Sequence, residues 1–213
     1  MSPNSVAEGR IGIAGYMGAG KSTCARLMAG HEAGALAGAK TSVLVIDADL
    51  EAKLMMNEDE PIRRQLAATF GPSVVDENSV GFGQLGKAAF ASVQAMHMLN
   101  SIVHPALVKR LHDLVFAGPD LCILDAALIP MWGIETWFDR CLWVTAPPSI
   151  RKARIMAKTC LAPEQIALRM SIQETLVHLP DGPMWTMVSN EGSLDDLRDR
   201  IAGFRLPGEH FPS

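Results

Sequence analysis

The sequence predicts an α/β fold, with about five parallel strands between two layers of helices. Three observations predict it. Short apolar runs recur at 11–14, 42–46, 121–124, 141–145 and 184–188, with helical patterns between them. That alternation is how a parallel sheet covered on both faces reads in sequence. Between the first run and the first helical pattern stands Gly15-Tyr16-Met17-Gly18-Ala19-Gly20-Lys21-Ser22, which fits the Walker A pattern G-x-x-x-x-G-K-[ST]. Several runs end in a polar residue or turn: Gly15, Asp47, Asp125 and, shortly after the last run, Asn190. Ligands of such sheets bind at the carboxyl edge of the strands, so these residues should converge on one site.

The elements follow in order. Ile11-Gly12-Ile13-Ala14 is short and apolar, as a buried strand requires, and the residues from Ser22 to Ala29 read as a helix with Cys24, Leu27 and Met28 on one face. Strand, glycine loop and helix together are the context of the P-loop NTPase three-layer fold. Gly15, Gly18 and Gly20 let backbone N–H groups curl around phosphate oxygens, with Ala19 and Thr23 beside them. The helix N-terminus adds partial positive charge. Lys21 reaches the β- and γ-phosphates, and Ser22 can ligate Mg²⁺.

Residues 31–41 are rich in Ala and Gly and predict a helix end and a loop. From 49 to about 70 the pattern is helical, broken near Glu60-Pro61. Residues 71–73 and 76–83 are turn-rich, 86–100 are helical, and His104-Pro105 opens a further helix to 116. The span from about 50 to 119 is too long for one crossover helix and predicts a helical, acceptor-binding insertion. Residues 147–158 and 163–175 predict two helices, the second with Pro163 in its first turn. Ser193-Leu194-Asp195-Asp196 opens the last helix as a capping box, with Leu194, Leu197 and Ile201 facing inward. The tail after 206 reads as irregular. The whole chain, 1–213, reads as one domain: a core at about 10–50 and 120–205, the insertion, and a lid at about 148–175.

Composition bounds the function. The chain has 213 residues, 48% of them hydrophobic, enough for one well-buried domain. A net charge of −4 leaves no nucleic-acid footprint. Cys24, Cys122, Cys141 and Cys160 are scattered, as in reduced intracellular proteins. The first residues are polar, unlike a signal peptide, and the run at 121–124 is stopped by Asp125 long before it could span a bilayer. A cytoplasmic protein without membrane partners is the expectation.

Asp47-Ala48-Asp49 follows the second run. Two carboxylates at a strand end can hold Mg²⁺ or take a proton from a hydroxyl nucleophile. Asp is also favoured at helix starts, and both readings stand. Asp125 occupies the place of a Walker B carboxylate, or is an ordinary strand-ending Asp. Arg151, Arg154 and Lys158 share one helix face by spacing, and Arg169 follows on the next helix. They form either a lid over a triphosphate or a solvated basic face. His97, His104 and His112 do not make a metal-ligand set, and His104 can cap a helix or touch substrate. The four Trp, at 132, 137, 143 and 185, read as core more than as stacking platforms. No Asn-Lys-x-Asp motif points to a GTPase switch.

The ordered set resembles the dephospho-CoA kinase family. The resemblance rests on the phosphate loop; Val45-Ile46-Asp47-Ala48-Asp49; Leu99-Asn100-Ser101-Ile102-Val103-His104-Pro105; Leu124-Asp125; Arg154-Ile155-Met156-Ala157-Lys158; Arg169 and Gln173; and Asn190-Glu191-Gly192-Ser193. It spans roughly residues 10 to 201. It implies transfer of the ATP γ-phosphoryl group to the 3′-hydroxyl of dephospho-CoA, with Mg²⁺ on Ser22 and Asp125. Lys21, Asp49 and Arg154 would then be catalytic, with Asp49 resembling the base. The ATP site would comprise the loop from Gly15 to Thr23 with Arg154, Lys158 and Asn190, the last resembling an adenine contact. Asp47, Asp49, His104, Asp125 and Arg169 would line the acceptor site. Three positions depart from the family pattern: Phe82 stands where an arginine is usual, Met131 where a glutamate is usual (Glu135 lies nearby), and Lys158 where a second lid arginine is usual. The alternatives are a related kinase with another small-molecule or nucleotide acceptor, and an inactive ATP-binding regulator.

Overall fold

The strands Gly9–Ala14 (β1), Val43–Asp47 (β2), Leu121–Asp125 (β3), Arg140–Thr145 (β4) and Trp185–Ser189 (β5) pair in parallel, in the order β2-β3-β1-β4-β5. They come from a computed structural model that describes residues 9–35, 43–118, 121–202 and Phe204, without the side chains of 31–35. The α/β expectation holds. Alternation along the central strands sends side chains to two separate cores. Ile11, Ile13, Leu121, Ile123, Leu142 and Val144 pack on one face with Cys24, Ala25 and Met28 of α1 (Lys21–Ala35) and with Leu197 and Ile201 of α9 (Leu194–Ala202). Ala14, Cys122, Leu124, Cys141 and Trp143 pack on the other, with Val103, Leu107, Leu111 and Val115 of α5 (Val93–Ala117).

Between β2 and β3 lie α2 (Ala48–Glu58), α3 (Glu60–Phe70), α4 (Phe82–Ala89) and α5. The break expected near Glu60-Pro61 is made by Asp59, which ends α2 and caps α3 by accepting from Ile62 N at 2.9 Å. Two expectations fail here. The helix read at 86–100 is two helices, because Ser92 Oγ accepts from Ala95 N at 3.0 Å and caps α5 there. And Pro105 does not open a helix but lies inside α5. A proline interrupts the backbone ladder, yet buried residues on both sides of it, from Met96 to Val115, hold α5 to the core.

After β3 come α6 (Ile129–Trp132) and a short 3-10 turn at Glu135–Trp137, neither of which the periodicity indicated. Helices α7 (Pro148–Lys158) and α8 (Pro163–Leu176) follow β4, as expected. Ser193 and Asp196 cap α9 reciprocally, but Leu194 is exposed rather than inward, so only Leu197 and Ile201 anchor that helix. Residues 36–42 and the tail after 206 lie outside the described residues. No helix among the described residues is long and apolar enough to cross a membrane.

Gly12, in the middle of β1, has no room for a side chain. A Cβ there would stand 2.9 Å from Phe138 and 3.1 Å from both Cys141 and Ile129. Gly12→Ala should therefore lower stability by about 1–3 kcal/mol through overpacking, read from the urea midpoint at unchanged m-value.

Candidate active site

The loop between β1 and α1 is built on glycine. Gly15, Gly18 and Gly20 have φ of +143°, +76° and +99°. A Cβ would stand 2.3 Å from Val144 O at Gly15 and 2.6 Å from Arg151 O at Gly18. Other side chains fix the loop from outside. Asn190 Nδ2 donates to Ala19 O at 2.7 Å, and Asn190 N donates to Thr145 O at 2.8 Å, so the end of β4 holds Asn190 in place. Met17 N donates to Gln173 Oε1 at 2.6 Å, and the Tyr16 hydroxyl to Val177 O at 3.0 Å. Lys21 opens α1, where the helix N-terminus favours an anion.

A cleft of about 440 Å³ runs along this loop, lined by Gly18, Gly20, Lys21, Ser22, Thr23, Arg154, Lys158 and Asn190, with Thr159, Gly192 and Leu194 farther out. Arg154 Nη1 reaches Ala19 O at 3.4 Å. So the residues read as the ATP site, except Gly15 and Ala19, line one cleft. Arg151 does not join them. It is 3% exposed, donates from Nε to Ala146 O, pairs through Nη2 with Glu174 and lies over the Tyr16 ring. The shared lid face inferred from spacing therefore reduces to Arg154 and Lys158, because burial under the loop turns Arg151 into a support. Glu174 carried no signal of this; only the packing of α8 on the loop reveals it.

The acidic side of the site is the adjacent strand edge. Asp125 ends β3, in register with Ile13 on one side and Asp47 on the other. Burial pushes its carboxyl up, Lys21 and a hydrogen bond from Ser22 oppose the rise, and Asp47 and Asp49 add to it. Carboxylates crowded on one edge favour a further cation, and the Ser22 hydroxyl beside Asp125 offers the hard oxygen donors that Mg²⁺ prefers. Both readings of Asp47-Ala48-Asp49 meet in the structure. Asp47 Oδ1 caps α2, accepting from Asp49 N and Leu50 N at 2.9 and 3.1 Å, which leaves the exposed Asp49 side chain the free carboxylate of the pair.

His104 is half-buried on α5, edge-on to Trp132 at 5.4 Å, and burial pushes its pKa down to about 4. Arg169 stands apart from the loop cleft. It lies over the Phe90 ring at 4.5 Å, where α8 meets the end of α4. His112 stacks with Phe116 and Trp137, and Trp143 is wholly buried.

The dephospho-CoA kinase family model matches residues 10–178. This chain belongs to the dephospho-CoA kinase family. Family relatives include the dephospho-CoA kinase of Geobacillus kaustophilus, 28% identical over 196 residues, covering 90% of this chain and 92% of that one. Another, from Moorella thermoacetica, is 33% identical over 177 residues, covering 78% and 77%. The crystal structure of TT1252 from Thermus thermophilus has a TM-score of 0.63 and 27% identity, covering 91% of this chain and 93% of that one. The family membership thus spans the loop, the acidic edge and both helices after β4.

Two outcomes are expected. Lys21→Ala should remove the cation at the N-terminus of α1 and cut ATP turnover by about 10²-fold or more, with an unchanged thermal melt; full activity in the folded variant would exclude a phosphate-binding role. His104 is neutral in the native state and protonates near pH 6.5 when unfolded, so stability should fall as pH drops from about 6.5 to 4, by at most about 1.4 kcal/mol per pH unit. Comparing denaturation of the parent and His104→Phe across that window isolates the effect, which should vanish in the variant.

Proposed function

We propose that this chain transfers the γ-phosphoryl group of ATP to the ribose 3′-hydroxyl of dephospho-CoA, giving coenzyme A and ADP. The observation that carries this reading is the meeting of a glycine loop bearing Lys21 and Ser22 with the carboxylates of Asp49 and Asp125 on the next strand edge. The loop backbone and α1 N-terminus hold the triphosphate. Lys21 and Arg154 neutralise oxygens that gain charge during transfer. Asp49 orients the acceptor hydroxyl and takes its proton as the bond to phosphorus forms. Ser22 and Asp125 would hold Mg²⁺, which would offset phosphate charge. Lys158 flanks the phosphates, Asn190 sets the loop at the nucleotide edge, and the helices from α2 to α5, with His104, receive the acceptor. Asp47 serves the acceptor site by capping the helix that carries Asp49. Helices α7 and α8 act as the lid. The cytoplasm is the compartment that fits, since Cys24, Cys122 and Cys141 are buried free thiols, raised by burial to about 12, 11 and 12.

A second reading, a kinase of this family with an altered acceptor, is favoured by one observation. Phe82 packs into the core where the family places an arginine, so that charge is gone from α4. A coupled ADP-release assay decides between the two. Dephospho-CoA should be turned over, while adenosine, pantetheine phosphate and nucleoside monophosphates should not. Turnover of one of those at millimolar concentration with dephospho-CoA ignored establishes the second reading. In the same assay Asp49→Asn should slow turnover by about 10²–10⁴-fold with ATP affinity little changed; equal losses in both would assign Asp49 to metal binding instead.

A further inference from the structure

Where α8 meets α4, a small cleft of about 130 Å³ is lined by Lys87, Phe90, Ala91, Gln165, Leu168 and Arg169. Two of these side chains are cations and none is an acid, in a chain whose net charge is −4. Among the described residues no carboxylate pairs with either Lys87 or Arg169. Arg169 is half-buried, and burial alone pulls its guanidinium below its ordinary range. Its plane rests over Phe90, and a Cβ at Gly86 would lie 3.6 Å from Nη2, so α4 supports the group without giving it a hydrogen-bond acceptor. Two like charges brought together without a counter-ion are unfavourable unless an anion joins them.

The cleft is also well placed. Arg169 lies one turn, about 6 Å along α8, from Gln173. Gln173 accepts the Met17 N–H of the phosphate loop. One helix therefore links the loop to the cleft.

We propose that Lys87 and Arg169 bind the diphosphate of the acceptor, in the cleft between α4 and α8. This rests on dephospho-CoA being the acceptor, since its diphosphate joins the adenosine to the pantetheine arm. The positive charge absent at Phe82 is then supplied from the same helix, one turn and a residue further on. Arg169 offers a planar fork and Lys87 a mobile point charge.

Lys87 is exposed on α4, so its substitution leaves the core intact. With MgATP saturating, Lys87→Ala should raise the KM for dephospho-CoA about tenfold and Lys87→Glu about a hundredfold, the range for losing and then reversing a charge-assisted contact. Lys87→Arg should stay within about twofold of the parent, and the KM for ATP should hold within about twofold in all three. Thermal melts check that each variant is folded. A rise in the ATP KM instead would assign the cleft to nucleotide phosphates and overturn the proposal, as would unchanged dephospho-CoA kinetics in Lys87→Glu. If the parent protein itself fails to turn over dephospho-CoA, the proposed function falls and this inference falls with it.

Discussion

The rest of the site depends on a backbone that no side chain can enter. Gly15 and Gly18 lie against carbonyl oxygens of two elements, Val144 of β4 and Arg151 of α7, at distances that exclude a Cβ. Gly20 lies against Asn190, beyond β5. All three glycines have positive φ. The loop is therefore not a free turn laid on the sheet. It is wedged among β4, α7 and the end of β5, so the strand order that puts β1 beside β4 and β4 beside β5 also fixes the path of the loop. Once the loop is fixed, Lys21 and Ser22 must open α1 beside the end of β3, and Asp125 must face them.

This wedging explains why arginines a turn apart play different parts. Arg151 and Arg154 are both on α7. Arg151 faces under the loop, where water is excluded and the Glu174 carboxylate answers its charge. Arg154 faces along the loop to the cleft, where its guanidinium remains open to a ligand. A guanidinium buried beneath the loop with one carboxylate is a prop for Tyr16 and Gly18. The same group one turn on, in the cleft, is available to phosphate.

Local chemistry made the fold legible. Short apolar runs gave all five strands to within a residue or two, and the glycines and the Ser193–Asp196 cap gave the loop and the last helix. What failed depended on packing. Pro105 signals a helix boundary by its backbone chemistry, and the continuous apolar stripe of α5 overrides it. Ser92 looks like an ordinary residue until its hydroxyl is seen to cap. In the site, residues contiguous with the loop were legible. The convergence of Asp47 and Asp125 followed from both ending strands of one parallel sheet, but the division of labour between Arg151 and Arg154 and the approach of Arg169 to Phe90 were not legible, because each depends on a partner from a segment far away in sequence. Spacing along a helix tells which residues share a face, but not which neighbour covers that face.

The departures from the family pattern fall where this logic allows them. The loop's three glycines sit where a Cβ has no room and φ is positive, so its requirement is for absent side chains rather than particular ones. The helices between β2 and β3 and after β4 carry their exposed side chains on α-helical surfaces, where single residues can be exchanged. Phe82 shows how one exchange is absorbed. Its ring joins the core formed by Leu85 and Ile62, so α4 gains packing where a buried arginine would need a counter-charge. Lys87, on the same helix, lines a cleft with Arg169. The loop, wedged on glycine, cannot be revised without rebuilding the fold, whereas side chains on the surrounding helices can.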